Sequence, residues 1–320
     1  MDAAFLVADI GGTNARFAIA YIERNNHIRL EHIMVFPTEN WVYMEDAIAD
    51  YFSKVKIHPE RGTIAFAGPV NDDEVIMTNG TWSFNQSDIA QILKMKEIRV
   101  INDFAAHACC LPLINENKLY KIGDGESVAR RNKIVVGPGT GIGVGALVAV
   151  GDKWKNVATE GGHVGFSPSG DLEKEIYNIV SKEVTRLSAE NILSGPAISI
   201  IYSALAEING QPPLELSSKE ISQQALEQND QASIQTIEVY CGMIGSFASD
   251  MAGVFNATGG VYLTGGVLPK NKQLLLSSKF REKFEGNEDL PFVKNIPTYL
   301  IEEEFPALLG AAGYYSGMFL

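Results

Sequence analysis

A pattern of strand, glycine turn and strand occurs twice in the sequence, and it constrains the fold more than any other feature. Residues 5–22 contain two apolar segments on either side of a turn at Gly11-Gly12-Thr13. Residues 134–150 repeat the arrangement around a glycine-rich turn that carries Thr140. The first turn is too short to hold a crossover helix, so its two strands should be antiparallel. We therefore expect a duplicated α/β unit with mixed sheets.

The rest of the chain alternates predicted strands and helices, which is typical of the α/β class. Further strands are predicted at 28–36, 63–67, 98–101, 261–264 and 299–301, and helices at 41–55, at 87–93, after Asp103, over much of 171–256 and from Pro306 to the end. Ser217 and Glu220 form a capping-box pattern, and residues 230–255 predict a long buried helix. A boundary between two domains is expected within residues 104–116.

The composition limits the partners and the compartment. The formal charge is −13, and a chain this acidic repels nucleic acid and anionic membranes, so any phosphate site must be local. Cys109, Cys110 and Cys241 form no CxxC pair, so we expect neither a zinc site nor a disulfide framework. The start of the chain lacks the basic segment of a signal peptide, and no apolar stretch has the length of a membrane span. These features predict a cytoplasmic protein.

The first chemical motif runs from Asp9 to Arg16. A carboxylate ends a strand, and two glycines and the hydroxyl of Thr13 follow it. Consecutive N–H groups in such a turn form an anion-binding nest, and Asp9 is placed to hold Mg²⁺ through water. The alternative is a plain hairpin turn.

Two further glycine-rich segments fit a nucleotide. Residues 137–143 carry four glycines at alternate positions, which would weaken a strand that had no other purpose. Residues 259–266 place a short strand between two glycine pairs, and an adenine ring could lie against that flat surface. The alternatives are a glycine-rich bend for the first and close strand–helix packing for the second. Neither segment matches a dinucleotide-binding fingerprint or a P-loop.

Polar residues at three places could bind a hydroxylated substrate. Asn102-Asp103 follows an apolar strand, where Asp103 could accept a proton or could instead cap a helix. In Glu160-Gly-Gly-His163, two small residues separate an acid from a histidine that could alternatively be structural or bind a metal. Glu190 stands at a predicted helix start, where it could merely complement the helix dipole.

Taken in order, these motifs resemble those of the bacterial ATP-dependent glucokinases, in the superfamily that joins hexokinases, actin and the large heat-shock chaperones. The segment around Thr78-Asn79 matches that family as well. The resemblance implies a two-domain actin-like (ribonuclease H-like) fold with a ligand cleft between the domains. It also implies a small domain of residues 1–113 with 304–320, a large domain of residues 114–303, a homodimer and a role in glycolysis.

The resemblance also implies the roles of the site residues. The residues implied for ATP are Ala8, Asp9, Ile10, Gly11, Gly12, Thr13, Gly137, Gly139, Thr140, Gly141, Gly265 and Gly266. Those implied for glucose are Asn79, Asn102, Asp103, Glu160, His163 and Glu190. Asp103 would take the proton of the 6-hydroxyl as it attacks the γ-phosphorus. No residue is expected to bind Mg²⁺ directly.

One departure and several alternatives belong to this hypothesis. The related ROK sugar kinases and repressors carry a cysteine-rich zinc motif shortly after the histidine, whereas Val164-Gly165-Phe166-Ser167 follows here. A zinc-supported site is therefore not expected. Because the sequence starts directly at the first predicted strand, a repressor with an N-terminal helix-turn-helix is not expected either. A kinase for fructose, mannose or an N-acetylhexosamine, a non-catalytic sugar sensor, an actin-like chaperone ATPase and polyphosphate as donor remain alternatives.

Overall fold

The computed structural model describes residues 4–23, 27–70, 73–78, 80–212, 215–316 and 318–320. The strands are β1 (Phe5–Ile10), β2 (Asn14–Ile22), β3 (Ile28–Pro37), β4 (Arg61–Phe66), β5 (Glu74–Ile76), β6 (Ser83–Asn85), β7 (Glu97–Asn102), β8 (Leu119–Ile122), β9 (Lys133–Pro138), β10 (Ile142–Val150), β11 (Lys153–Ala158), β12 (Val261–Leu263) and β13 (Thr298–Ile301). The α-helices are α1 (Met44–Val55), α2 (Gln86–Ile92), α3 (Asp103–Cys110), α4 (Asp171–Val180), α5 (Ala189–Leu193), α6 (Ala197–Ile208), α7 (Ser218–Leu226), α8 (Gln231–Phe255), α9 (Lys272–Ser277), α10 (Phe280–Glu285) and α11 (Pro306–Gly313).

The chain divides into two compact units. Unit 1 contains Met1–Glu116, Leu147–Ala158 and Glu303–Leu320, and unit 2 contains Asn117–Ala146 and Thr159–Glu302. The domain boundaries expected at residues 113 and 303 stay predictions, and the compact units differ from them at Leu147–Ala158. That segment groups with unit 1 because it pairs with the chain end. The Trp154 amide donates to the carbonyl of residue 318 at 3.0 Å, and the amide of residue 320 donates to the Trp154 carbonyl at 2.9 Å.

Unit 1 is built on a five-stranded sheet with the order β3-β2-β1-β4-β7. β1 and β2 are antiparallel, as their short turn predicts, and β2 is antiparallel to β3. β1, β4 and β7 are parallel, so their carboxyl ends lie at one edge of the sheet. The register places Ile10, Phe66 and Asn102 in one row across that edge.

Each face of this sheet is covered by helices. On one face, α1 contributes Met44, Ile48 and Tyr51 to an apolar cluster with side chains of β1 and β2. On the other face, α11 and α3 pack together with the opposite side chains of the same strands. Gly310 of α11 allows this close approach, since a Cβ there would lie 1.8 Å from the Ala106 carbonyl oxygen. The sheet is therefore buried on both sides.

A second sheet has the order β11-β10-β9-β12-β13-β8. β9, β12 and β13 are parallel, and β8 is antiparallel to β13 at the far edge. Apart from β8, the strands follow the order third, second, first, fourth, fifth, which is also the order of the first sheet. The shared order agrees with the duplication expected from the two glycine turns.

Helices dominate the rest of unit 2, and the 25-residue helix α8 is central to them. α8 packs against α6, α7 and α10 and is buried on several faces, as its apolar sequence predicts. The predicted capping box of α7 is confirmed: Ser217 Oγ accepts from the Glu220 amide, and the Glu220 side chain accepts from the Ser217 amide. Among the described residues, no helix combines the length and the apolarity that crossing a bilayer requires.

One helix prediction is wrong at its end. α11 begins at Pro306 but ends at Gly313, whereas the sequence predicts a helix that continues to the chain end. The reason is that the last residues leave the helical path. Phe319 pairs instead with Trp154 as a short parallel bridge.

Candidate active site

The first glycine turn joins β1 to β2 and is held by Thr38, the residue that follows β3. The Gly11 amide donates to the Asn14 carbonyl at 3.0 Å, which closes the turn. Thr38 donates twice: its hydroxyl to the Gly12 carbonyl at 2.8 Å and its amide to the Thr13 carbonyl at 3.1 Å. Gly12 and Thr13 are exposed. The turn is therefore open to solvent on one side and fixed by hydrogen bonds on the other.

Asp9 lies at the end of β1, opposite Arg16 on β2. Arg16 Nη1 lies 2.9 Å from Asp9 Oδ2. This leaves Asp9 Oδ1 as the oxygen that could contact a hydrated Mg²⁺, whose preferred ligands are oxygens. The oxygens of Asp9 thus fit contact with the water ligands of the ion. Arg16, to which the sequence analysis assigns no role, orients the Asp9 carboxylate.

His107 of α3 lies close enough to this ion pair to interact with both charges. Burial lowers the pKa of His107, the Asp9 charge opposes that effect and the Arg16 charge adds to it. Its Nδ1 is buried and makes no hydrogen bond within the described part of the chain. We therefore treat His107 as neutral near pH 7.

Asn102 and Asp103 lie at the same sheet edge as the first turn. Two strand spacings separate the row position of Ile10 from that of Asn102, which is about 10 Å. The connection is tight, because the Ala67 amide donates to the Ile10 carbonyl at 2.9 Å and Asn102 Nδ2 donates to the Gly68 carbonyl at 3.2 Å. The candidate base and the candidate phosphate turn therefore belong to one rigid edge.

The structure assigns the cap of α3 to Asn102. Its Oδ1 accepts from the Phe104 amide at 3.0 Å and from the Ala105 amide at 3.2 Å. Asp103 is the first residue of the helix, and its Oδ1 lies 2.9 Å from the Phe104 amide. The alternative in which Asp103 is the N-cap is therefore wrong, and most of the Asn102 amide is engaged inside the protein.

The segment after Thr78 approaches the first turn as well. Asn79, expected to bind the sugar, lies outside the described residues. Its neighbour Gly80 packs on the turn, since a Cβ there would lie 3.6 Å from Gly12 Cα. Trp82, 2% exposed, anchors the segment by donating from Nε1 to the Trp41 carbonyl at 3.0 Å.

In unit 2, the second glycine turn joins β9 to β10 and is held by α5 and the residues after it. The Gly139 amide donates to the Gly141 carbonyl at 2.7 Å, and the Gly195 amide donates to the Gly139 carbonyl at 2.8 Å. Glu190 Oε2 accepts from the Ile142 amide at 3.3 Å. A Cβ at Gly141 would lie only 2.1 Å from that carboxylate oxygen. Glycine at 141 therefore makes room for Glu190.

Glu190 owes its position to the start of α5. Ser188 caps this helix in a capping box with Asn191, as expected for a helix start. Glu190 is in the first turn, where a carboxylate complements the helix dipole. Since it also reaches the Ile142 amide, it does more than complement the dipole.

Glu160 immediately precedes, and His163 ends, a short 3₁₀ turn, Gly161–His163, that packs on β10. His163 Nε2 is 3.6 Å from Glu160 Oε2, and both side chains are more than half exposed, at 52% and 65%. A Cβ at Gly162 would lie 2.0 Å from the Ile142 carbonyl oxygen. The two glycines therefore let the turn approach β10 while the acid and the histidine face outward. Within the described residues, no three His, Cys, Asp or Glu side chains converge as metal ligands.

Gly265 places the third glycine segment against the second turn. β12 is parallel to β9, and the Thr264 amide donates to the Val136 carbonyl at 2.9 Å. Gly265 has φ of +89°, and a Cβ there would lie 2.3 Å from the Pro138 carbonyl oxygen. Gly266 faces open space. Gly265 therefore packs closely on the end of strand β9 rather than on a helix, and Gly266 has open space beside it.

Sequence reasoning misses two residues that hold these turns, Thr38 and Gly195. Thr38 follows Pro37 at the end of a predicted strand, and its role depends on strand pairing far along the chain. Gly195 lies before Pro196, and this Gly-Pro pair is a sequence signal from which a turn could have been predicted. A Cβ there would lie 2.7 Å from the Gly139 carbonyl oxygen.

Comparison with known families agrees with these features: the sequence profile of the glucokinase family matches residues 6–318. The chain belongs to the glucokinase family. A glucokinase of Nitrobacter hamburgensis is 39% identical over 315 residues, which cover 98% of this chain and 97% of the relative. Members of this family are ATP-dependent sugar kinases, so the chain is one as well.

Solved structures agree with the glucokinase assignment. A glucokinase from an Antarctic psychrotroph has a TM-score of 0.89 at 33% identity, over 98% of this chain and 99% of the other. A ROK family glucokinase from Streptomyces griseus, solved with glucose and AMPPNP, has a TM-score of 0.67 at 20% identity, over 98% and 99%. At that identity, the similarity concerns the fold alone. The fold is the actin-like α/β fold with mixed sheets.

Proposed function

We propose that this glucokinase transfers the γ-phosphoryl group of ATP to the 6-hydroxyl of glucose, giving glucose 6-phosphate and ADP. The observation that carries the assignment of roles is the row of Ile10, Phe66 and Asn102. In this row the first glycine turn and Asp103 follow strands that end at one edge of one sheet, which supports a shared role for them. A base and an anion site at fixed separation are what an in-line phosphoryl transfer requires.

In this proposal the two glycine turns bind the phosphates of ATP through backbone N–H groups, and Gly265 and Gly266 border the adenosine. Mg²⁺, when bound, neutralises the charge on the β- and γ-phosphates. Asp9, oriented by Arg16, would hold the hydrated ion through its water ligands. The remaining residues implied for ATP are Ala8, Ile10, Gly11, Gly12, Thr13, Gly137, Gly139, Thr140 and Gly141.

Glucose would be held by residues that accept hydrogen bonds from neighbouring hydroxyls. The proposed set is Asn79, Asn102, Asp103, Glu160, His163 and Glu190. Asp103 accepts the proton of the 6-hydroxyl as that oxygen attacks the γ-phosphorus. General-base help of this kind contributes about 10²–10⁴-fold.

We also propose that the enzyme is a cytoplasmic homodimer that acts in glycolysis. The net charge of −13 disfavours binding to nucleic acid and to anionic membranes, which are themselves negatively charged. These points derive from the family and the composition.

The decisive experiment measures ADP release over a panel of hexoses with Mg-ATP, and sugar phosphate formation with polyphosphate as donor. We expect ADP release with glucose and little with fructose, mannose or an N-acetylhexosamine. Comparable or greater turnover of another hexose would replace glucose as the substrate. Product formation with polyphosphate and none with ATP would overturn the assignment of the donor.

A further inference from the structure

Thr38 binds the first glycine turn with both its side chain and its backbone. The register of β2 and β3 pairs Asn14 with Pro37, which brings the next residue, Thr38, beside the turn. The Thr38 hydroxyl lies 2.8 Å from the Gly12 carbonyl oxygen, and the Thr38 amide lies 3.1 Å from the Thr13 carbonyl oxygen. Thr38 is only 9% exposed, so water competes little for these bonds.

These two bonds fix the direction of the peptide groups. In a trans peptide the C=O and the N–H point in opposite directions. The Gly12 carbonyl shares its peptide group with the Thr13 amide. When the Thr38 hydroxyl holds that carbonyl on the inner side, the Thr13 N–H must point to the outer side, where the turn is exposed.

The carbonyl that precedes the turn is also occupied. The Ile10 carbonyl accepts from the Ala67 amide at 2.9 Å. Within the described part of the chain, the Gly12 and Thr13 amides have no acceptor. The Ile10, Gly12 and Thr13 carbonyls are thus all bound inside the protein, while the Thr13 N–H stays available as a donor on the exposed side, where it could bind an anion.

We propose that Thr38 is a positioning residue for the nucleotide: its hydroxyl holds the Gly12–Thr13 peptide so that the Thr13 N–H faces a phosphate of ATP. This inference rests on the proposed function, because it takes the turn to be a phosphate site. Thr38 does not touch the nucleotide itself. Its contribution is to fix the donor before the phosphate arrives, which lowers the ordering cost of binding.

The test compares Thr38→Val, which removes the hydroxyl at nearly constant shape, with Thr38→Ser, which keeps it. Thr63→Val is the matched control. Thr63 is a fully buried threonine of the same sheet whose hydroxyl makes no hydrogen bond among the described residues. Affinity for Mg-AMPPNP and, separately, for glucose is measured by calorimetry on each full-length variant, along with kcat and KM for ATP.

We expect Thr38→Val to bind Mg-AMPPNP roughly 3- to 10-fold more weakly, the range of one net hydrogen bond. Its KM for ATP should rise, while its glucose affinity stays that of the wild type. Thr38→Ser and Thr63→Val should match the wild type in nucleotide affinity. A folded Thr38→Val with unchanged nucleotide affinity would overturn the proposal, and so would an equal loss in Thr63→Val.

A measurement on the unaltered protein keeps the proposal testable if Thr38→Val does not fold. The Thr13 amide resonance in a ¹H–¹⁵N spectrum should move downfield when Mg-AMPPNP is added, because the N–H gains a charged acceptor. An unmoved resonance at saturation would contradict the proposal. If the wild type bound Mg-AMPPNP but phosphorylated no hexose, the proposed function would fail while the inference about Thr38 would stand.

Discussion

The N-cap of α3 is Asn102 and not Asp103, and this affects how Asp103 can be tested. Asn102 makes the cap bonds of α3, so a change at residue 103 should leave the helix in place. We expect Asp103→Asn to bind glucose normally and to lose about 10²–10⁴-fold in kcat, because an amide cannot accept the proton. Steady-state kinetics and glucose calorimetry on the same preparation check both halves.

Asp88→Asn is the matched control for that experiment. Asp88 is also an acidic residue in the first turn of a short helix, α2, of the same unit. The Asp88→Asn variant should keep wild-type turnover. Wild-type turnover in Asp103→Asn itself would remove Asp103 from the role of base.

Glu190 gives a second prediction at this scale, and the structure changes what the sequence suggests. From the sequence, Glu190→Ala should weaken glucose binding and leave nucleotide binding intact. Because Glu190 also accepts from the Ile142 amide beside the second glycine turn, we now expect the variant to lose nucleotide affinity as well, by roughly 2- to 10-fold.

Glu190→Gln separates the two effects. A glutamine keeps a side-chain acceptor for the Ile142 amide but not the charge. Calorimetry should show near-normal Mg-AMPPNP affinity for Glu190→Gln and reduced affinity for Glu190→Ala. Equal nucleotide affinity in the wild type and both variants would show that the contact at Ile142 does not support the turn.

Candidate site residues could be proposed from the sequence where a short local pattern contains them. Asp9, the glycines and Asp103 stand in short motifs whose chemistry can be interpreted without knowledge of the fold. Thr38 was not predictable, because its contact with Gly12 joins residues 26 positions apart and exists only once β2 and β3 pair. The same holds for Glu190 and Ile142, whose contact spans 48 positions.

At the scale of elements, continuous apolar segments were predicted well, including the short strands β12 and β13, whereas β5 and β6 were missed. β1 matches its prediction, and the helix expected from residue 230 is α8. β5 and β6 have three residues each, with only the central one buried, so they give no periodic signal. The end of α11 was wrong because a pairing with Trp154, remote in sequence, diverts the chain.

The close packing of the strand ends β9 and β12 makes a prediction about two adjacent glycines. Gly265→Ala should cost about 1–3 kcal/mol, because alanine strains at φ of +89° and its Cβ would overlap the Pro138 carbonyl. Gly266→Ala should cost little, since a Cβ there meets no neighbouring atom within 4 Å. Thermal unfolding of both variants gives the comparison. Equal midpoints for the two would contradict this account of Gly265.

At the scale of the whole molecule, the sequence led to the fold mainly through resemblance. Strand order depends on pairings between distant segments, and local periodicity does not encode it. One local pattern did carry information on topology: the repeated strand–turn–strand pattern predicted a duplicated unit, and the two sheets share a strand order. Residue spacing alone could not show that Leu147–Ala158 would group with the chain end.

The three cysteines allow a test of how well the molecule as a whole excludes solvent. All are buried, and burial raises the pKa of Cys109 and of Cys241 to about 12. Since the thiolate is the reactive form, a thiol reagent at pH 8 should label the native protein very slowly and all three cysteines after denaturation. Rapid stoichiometric labelling of the native protein would show that at least one thiol is reached by solvent.

The central position of α8 has a consequence for how unit 2 opens. Tyr240 of this helix donates to the Leu193 carbonyl at 2.9 Å in a buried site, and Gly245 packs directly on the backbone of α10. No part of its middle can be exposed without separating the helices around it. Amide hydrogens there should therefore exchange with deuterated solvent only when the whole unit unfolds, and their exchange rate would report the unfolding free energy of that unit.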